Sequence, residues 1–391
     1  MRPSLPELPK ALYRVTGFVS ATPAGNPRGP TRPWPRCSWG WRRSRFLRRM
    51  QNVLAFIQFP PWLKPEIIPG LPIRWYGLMY LVAFAVAYQM VRIQVREKGL
   101  TVQRDEVLNL FFWGIVGLLV GARLAAVTIY DPSGYYLRHP LEIILPVRLS
   151  AGRVHLTGIA GMSYHGGLAG AIIACIIYLK ARKHSILEWG DMMVTGSALG
   201  YTFGRLGNFI NGELYGRVTT LPWGMVFPLA PGFPAKERWV QEVAQRAGMD
   251  TAGQELVNLP RHPSQLYEAF FEGIVLWAIL WFGFRKRRSF RGQLMAIYIM
   301  GYGFFRFLIE YVREPDADLG FPIQLVRLAN PQFQFSPWNF TTGQLLNLIM
   351  ILVGVLCFFL FQRRDRLERQ RQEERQLTPR LSGRKLRRRL R

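Results

Sequence analysis

The sequence predicts an all-α integral membrane protein of seven transmembrane helices with a small external cap, its N-terminus outside and its C-terminus inside. Three observations lead there. Seven long apolar runs follow one another at 74–92, 106–130, 161–180, 191–212, 266–284, 293–312 and 342–361, each near the ~20 residues that cross a bilayer as a helix. Lys and Arg collect in alternate connections between these runs, and the two longest connections, 131–160 and 213–265, fall on the other side. Any one run also reads as a buried helix of a soluble protein. Seven in series do not.

Residues 1–49 mix Pro, Gly and Arg without periodicity, a composition that reads as disordered. They hold eleven Lys and Arg against one Glu, and residues 362–391 hold thirteen against four acids. The two ends thus account for +10 and +9 of the formal +27, which leaves +8 for the whole apolar middle. A charge placed in this way argues against the nucleic-acid partner that +27 would otherwise suggest. Residues 1–49 contain no apolar core followed by a small-residue cleavage site. They are expected to be a dispensable basic extension or the product of an upstream start, with a membrane domain over 50–362 and a basic cytoplasmic tail over 363–391.

Orientation follows from the short basic connections. Arg92, Arg96, Lys98 and Arg104 follow the first run, Lys180, Arg182 and Lys183 the third, and the stretch Arg285 to Arg291 the fifth, while the most basic stretch of all follows the seventh. With alternating spans these share one side, which is therefore the cytoplasm. Residues 1–49 would then have to be exported, a second reason to read them as dispensable. The connection 213–265 contains Pro222, Pro228, Pro231, Pro234 and a helix-like stretch from 235 to 247, and is expected to form the cap. Loops of this size on one face often border a substrate entrance.

The chemistry is expected where polar residues interrupt the apolar runs, because such groups are costly in a bilayer and mark function by default. The fourth run ends in Gly204-Arg205-Leu206-Gly207-Asn208-Phe209-Ile210-Asn211-Gly212-Glu213-Leu214-Tyr215-Gly216. Arg205 and Asn208, three apart, share a helix face. Alternating spans bring His165, Arg123, Arg306 and Tyr76 to the same outer level. In the sixth run Tyr302, Arg306, Glu310 and Arg313 form a stripe at spacings of four, four and three. An Arg306–Glu310 ion pair could serve packing, ligand grip or both, and Arg suits a phosphodiester because its planar fork donates two parallel hydrogen bonds. His165, flanked by Gly166 and Gly167, is the better placed of two bases that titrate near neutrality; His262, before Pro263, is expected to orient the cap. Cys37, Cys175 and Cys357 share no metal or disulfide spacing. Neither a nucleophilic thiol of this chain nor a metal or cofactor is expected.

The Gly204–Gly216 run, together with Tyr164-His165-Gly166-Gly167-Leu168 and Arg261-His262-Pro263-Ser264-Gln265-Leu266-Tyr267-Glu268, resembles the bacterial prolipoprotein diacylglyceryl transferase family, in order across about residues 65–362. The resemblance implies a bacterial inner-membrane enzyme with its site toward the outer leaflet and its cap on the periplasmic side. It implies that phosphatidylglycerol donates its diacylglyceryl group to the lipobox cysteine of a prolipoprotein signal peptide, giving a thioether and glycerol phosphate. The catalytic residues are then expected to be His165, Arg205 and Arg306. Substrate contacts are expected from Tyr76, Arg123, Asn208, Asn211, Glu213, Gly216, Tyr302, Glu310 and His262. The alternative is a transporter or flippase for an anionic lipid, which would use the same charges as a pathway; against it, the polar residues gather at one depth and no inverted repeat is evident.

Overall fold

The computed structural model describes residues 56–389, apart from 69, 72, 104, 130–133, 139–146, 151–152, 157–162, 315–320, 329, 331–332 and 335; at 135, 137, 147–150, 153–156 and 375–389 only the backbone is described. The expected extension over 1–49 lies outside these residues, as do Arg104 and parts of the connections 131–160 and 313–341. The helices are α1 Trp75–Glu97, α2 Glu106–Thr128, α3 Tyr164–Ala181, α4 Ile186–Asn211, α5 Arg238–Arg246, α6 Ser264–Arg287, α7 Gln293–Ile309 and α8 Thr342–Arg389. Five of them (α1, α2, α3, α6 and α8 as far as Glu374) are long and apolar enough to cross a membrane. The helix α4 is 26 residues long but carries Glu188, Asp191 and Arg205, and α7 is apolar but has 17 residues.

Strands contribute little, and the chain is mostly helical with no closed sheet among the described residues. β1 Ile57–Gln58 runs parallel to β4 Met225–Val226, and three antiparallel pairs complete the set: β2 Val147–Ser150 with β3 Arg153–Leu156, β5 Phe233–Pro234 with β6 Leu256–Val257, and β7 Ile323–Gln324 with β8 Asn339–Phe340. Within 213–265, α5 buries Val240, Val243 and Ala244 against Val218, Val257 and Leu259, so this connection has an apolar core of its own.

Between apolar helices the hydrophobic effect supplies no attraction inside a bilayer, and small residues that let backbones touch take its place. Such contacts set the main helix pairs. Gly117 and Gly121 of α2 meet Gly166 and Gly170 of α3; a Cβ on Gly170 would lie 2.1 Å from the Gly117 carbonyl oxygen, and one on Gly121 2.3 Å from that of Gly166. On α4, Gly196 and Gly200 rest on the backbone at Ala87 and Ala83 of α1. Gly170→Leu is therefore expected to cost about 3 kcal/mol by overpacking. Gly283→Ala, whose Cβ meets nothing within 4 Å, should unfold in detergent at the wild-type temperature.

Charged side chains tie one end of the bundle together. Glu188 accepts from Lys98 and Arg288, both at 2.5 Å. Asp191 accepts from Arg288 at 3.1 Å and from the amides of Gly292 at 2.8 Å and Met295 at 3.0 Å, which caps the first turn of α7 with a carboxylate. Glu106 holds Arg182 at 2.9 Å and His184 at 3.0 Å, and Arg291 reaches Asp365 and Glu368 of α8, both at 2.7 Å. The basic connections after α1, α3 and α6 and the basic half of α8 thus sit at the same end. The opposite end of α4, α6 and α7 carries the candidate site.

Candidate active site

The helix α4 reaches that end at Arg205, Asn208 and Asn211 and stops at Gly212, whose φ of 66° is the left-handed conformation that glycine adopts without strain. The chain then turns so that Glu213 accepts from Asn208 Nδ2 at 2.9 Å and from Asn211 Nδ2 at 3.3 Å. From the opposite direction α6 begins at Ser264 and is π-helical from Ala269 to Val275, a wider turn that often marks functional sites. Thr202 of α4 donates to the Ala269 carbonyl at 3.3 Å, and a Cβ on Gly273 would lie 2.1 Å from the Thr202 Oγ1, so the two helices are in backbone contact here. The result places Glu268 and Glu272, both 0% exposed, against the polar end of α4.

Glu268 is the hub. Arg205 Nε lies 2.8 Å from its Oε2, while Arg306 Nη1 and Arg313 Nη1 lie 2.9 and 2.8 Å from its Oε1. The three guanidiniums keep 15–16% of their side-chain surface open above a carboxylate that has none. A second carboxylate, Glu310, stands 3.3 Å from Arg306 Nη2 and 3.4 Å from Arg313 Nε, and accepts from Thr341 Oγ1 at 3.3 Å. Thr341 in turn opens α8 through a reciprocal pair with Gln344, at 3.0 and 3.1 Å. Tyr201 Oη accepts from Arg205 Nε at 2.7 Å and donates to Glu272 Oε2 at 2.5 Å, with the Tyr302 ring edge-on at 5.6 Å. Arg205 Nη1 makes a long contact of 3.5 Å to Asn208.

Of the residues singled out in the sequence, Arg205, Asn208, Asn211, Glu213, Tyr302, Arg306 and Glu310 belong to this one network. Tyr76 packs on Gly207, 3.2 Å from where a Cβ would stand, and its hydroxyl meets that of Tyr80 at 2.9 Å. Gly216 bridges to Arg313; a Cβ there would lie 2.2 Å from the Val312 carbonyl oxygen, so glycine is what lets the two backbone segments approach and fixes the Arg313 backbone. Arg123 lies over the Tyr136 ring at 4.8 Å. The exposed ring of His165 stands at the start of α3, edge-on to Tyr164 at 5.6 Å, and no ion pair or hydrogen bond links it to the arginines among the described residues. His262 lies 3.3 Å from Tyr267 Oη, which also accepts from Trp223 at 2.8 Å. Burial, followed by the charge of Arg217, lowers the His262 pKa to about 4. It is therefore uncharged at neutral pH and serves as a hydrogen-bonding group of the 213–265 segment.

Sequence reasoning missed Glu268, Glu272 and Tyr201, and noted Arg313 only as the end of a stripe. The signal was there for the carboxylates: Glu268 closes the Arg261–Glu268 run and Glu272 lies four residues on, inside an apolar segment where ionisable groups stand out. A further feature of this end is a cavity of about 330 Å³ beside Glu213, bordered by Glu66, Arg74, Asn211 and Tyr215.

Fold and site together define a helical membrane protein whose site sets three partly open guanidiniums among buried carboxylates. More particularly, the chain belongs to the prolipoprotein diacylglyceryl transferase family, whose sequence profile matches residues 65–360. It is similar to the phosphatidylglycerol–prolipoprotein diacylglyceryl transferase of Treponema denticola, 48% identical over 79% of this chain and 95% of that protein. It is also similar to proteins of the same name from Treponema pallidum, 46% identical over 81% of this chain and 99% of the relative, and from Borrelia garinii subsp. bavariensis, 39% identical over 77% and 92%.

Proposed function

We propose that the chain catalyses the reaction for which these relatives are named, the first step of lipoprotein maturation: transfer of the diacylglyceryl group of phosphatidylglycerol to the lipobox cysteine of a prolipoprotein. The observation that carries this reading at the site is the set of three guanidiniums, each with a small part of its surface open, held over buried Glu268. The sulfur attacks the glyceryl carbon that bears the phosphate ester. As the S–C bond forms the C–O bond breaks, the electron pair goes to the phosphate oxygen, and glycerol phosphate leaves. Arg205 and Arg306 stabilise the charge that develops there. The thiol proton goes to His165, since only the thiolate is an effective nucleophile. Asn208, Asn211, Glu213, Glu310 and Tyr302 hold the arginines and the headgroup in register; Tyr76 and Arg123 border the lipid, and Gly216 and His262 set the approach of the 213–265 segment. Family membership sets aside the transporter or flippase alternative. The reading is tested by mixing purified protein, phosphatidylglycerol and a lipobox peptide: the peptide should gain the diacylglyceryl mass on its cysteine, and a peptide left unmodified would overturn it.

The same reading places 50–362 in the inner membrane as a seven-span domain, with the N-terminal side and the 213–265 cap outside, the basic tail 363–391 in the cytoplasm and the active site toward the outer leaflet. The meeting of the basic connections at one end of the bundle supports it, and 1–49 is then an extension dispensable for insertion. A reporter placed after Arg288 should read as cytoplasmic and one at Gly248 as external; the same side for both would contradict the seven-span arrangement.

For the base, His165→Asn should lose turnover more than lipid binding. Raising the assay pH toward ~8.5, where a free thiol ionises unaided, should restore part of it. Full activity of this variant at neutral pH would remove His165 as the proton acceptor.

A further inference from the structure

A carboxylate without exposure to water is costly unless it is paired and hydrogen-bonded, and Glu272 is poorly paired. It is 0% exposed and, among the described residues, its nearest cation, Arg306, stands at 4.0 Å and its Oε1 has no hydrogen-bond partner. Its one hydrogen bond among the described residues is from the Tyr201 hydroxyl, at 2.5 Å. That hydroxyl has a single proton. By accepting it, Glu272 leaves the oxygen's lone pairs to Arg205 Nε, which sits 2.7 Å away with its guanidinium 4.9 Å above the Tyr201 ring. Fixing the Nε edge in this way sets the plane of the fork and hence the direction of the terminal nitrogens.

We propose that Glu272 is a positioning residue for Arg205, acting through the Tyr201 hydroxyl, so that the guanidinium is aligned for the phosphate before the lipid arrives. Glu268 supplies countercharge to Arg205; the Tyr201–Glu272 pair supplies its orientation. The inference rests on the reading of Arg205 as the phosphate-gripping group.

The test uses full-length protein carrying Tyr201→Phe, Glu272→Gln, both together, and each with Arg205→Lys. Two readouts are taken, turnover with lipobox peptide and retention of phosphatidylglycerol by the detergent-solubilised protein, beside thermal unfolding. Tyr201→Phe should lose about ten-fold in turnover, the worth of one hydrogen bond to a charged group, without a matching loss of stability. Glu272→Gln, whose amide oxygen still accepts the tyrosine proton, should stay within about three-fold of wild type. The double variant should be no worse than Tyr201→Phe alone, and neither change should matter further in the Arg205→Lys background, because all act on one guanidinium. Multiplying losses, full activity of a folded Tyr201→Phe protein, or continued effects with Arg205→Lys would each overturn the proposal. Should Glu272→Gln fail to fold, Tyr201→Phe alone and with Arg205→Lys decides the part of the hydroxyl, and Glu272→Asp, whose shorter arm draws the carboxylate away from that hydroxyl, decides the part of Glu272. It should lose turnover as Tyr201→Phe does and add nothing in the Arg205→Lys background, and wild-type turnover by a folded Glu272→Asp protein would overturn the proposal. A wild-type protein that makes no thioether would instead refute the functional reading, and the same comparisons in lipid retention would then uphold or refute the positioning role.

Discussion

Arg205→Lys should lower turnover on the order of 100-fold, the usual loss when a donor aimed at developing charge is removed, while the protein still folds. Lysine keeps the positive charge beside Glu268, so the buried carboxylate at 2.8 Å remains paired. The planar fork is lost, and with it the simultaneous reach to Tyr201, Glu268 and a phosphate oxygen. Thermal unfolding in detergent, measured beside turnover, separates the two effects. Arg306→Lys should follow the same pattern with a larger structural cost, since that guanidinium also contacts Glu310 at 3.3 Å. Wild-type turnover by a folded Arg205→Lys protein would show that charge alone suffices and that the bidentate grip is not used.

Glu268→Gln is expected to be the most damaging single change. It leaves Arg205, Arg306 and Arg313 facing an uncharged amide that can accept but also presents a donor to them. Removing one partner from a buried ionic cluster costs about 3–5 kcal/mol, and Glu268 is the only group among the described residues that contacts all three of these guanidiniums. The expected result is a protein that unfolds at markedly lower temperature in detergent and has lost turnover even where it remains folded. Glu268→Asp, with the charge on a shorter arm, should recover stability before it recovers activity. A Glu268→Gln protein as stable and active as wild type would mean that Glu310 and Glu272 organise the arginines without it.

The helices were legible because a bilayer makes simple demands: about 20 apolar residues and basic short connections on one side. Each of the seven apolar runs holds a helix among the described residues, though only five of these helices are long and apolar enough to cross a membrane, and ends shift by a few residues, as where α1 continues to Glu97 past the expected 92. The helix α8 continues to Arg389, beyond the apolar run, because Arg, Gln, Glu and Leu are good helix formers whether or not lipid surrounds them. The two-residue strands left no trace, being too short to show an alternating pattern. At the site, the Arg306–Glu310 contact could be read from a spacing of four. The hub could not, because Glu268 meets Arg205, Arg306 and Arg313 across distances of 63, 38 and 45 residues along the chain, and no local period reports such contacts. Tyr201 was hidden for another reason: a tyrosine in an apolar run reads as one more large side chain until its hydroxyl is seen between Arg205 and Glu272. For Gly216, expected among the substrate contacts, what the sequence hides is the backbone approach to Val312 and Arg313, which no local spacing reports.

The central claim is that the arginines over Glu268 hold the phosphate that leaves with the glycerol as the thioether forms. It is tested most directly by following both products in reconstituted vesicles that contain phosphatidylglycerol labelled in its phosphate. With lipobox peptide present, one labelled glycerol phosphate should appear for each thioether, and both should fall together in Arg205→Lys. Release of glycerol phosphate without peptide, or thioether formed at the wild-type rate by Arg205→Lys, would contradict the account.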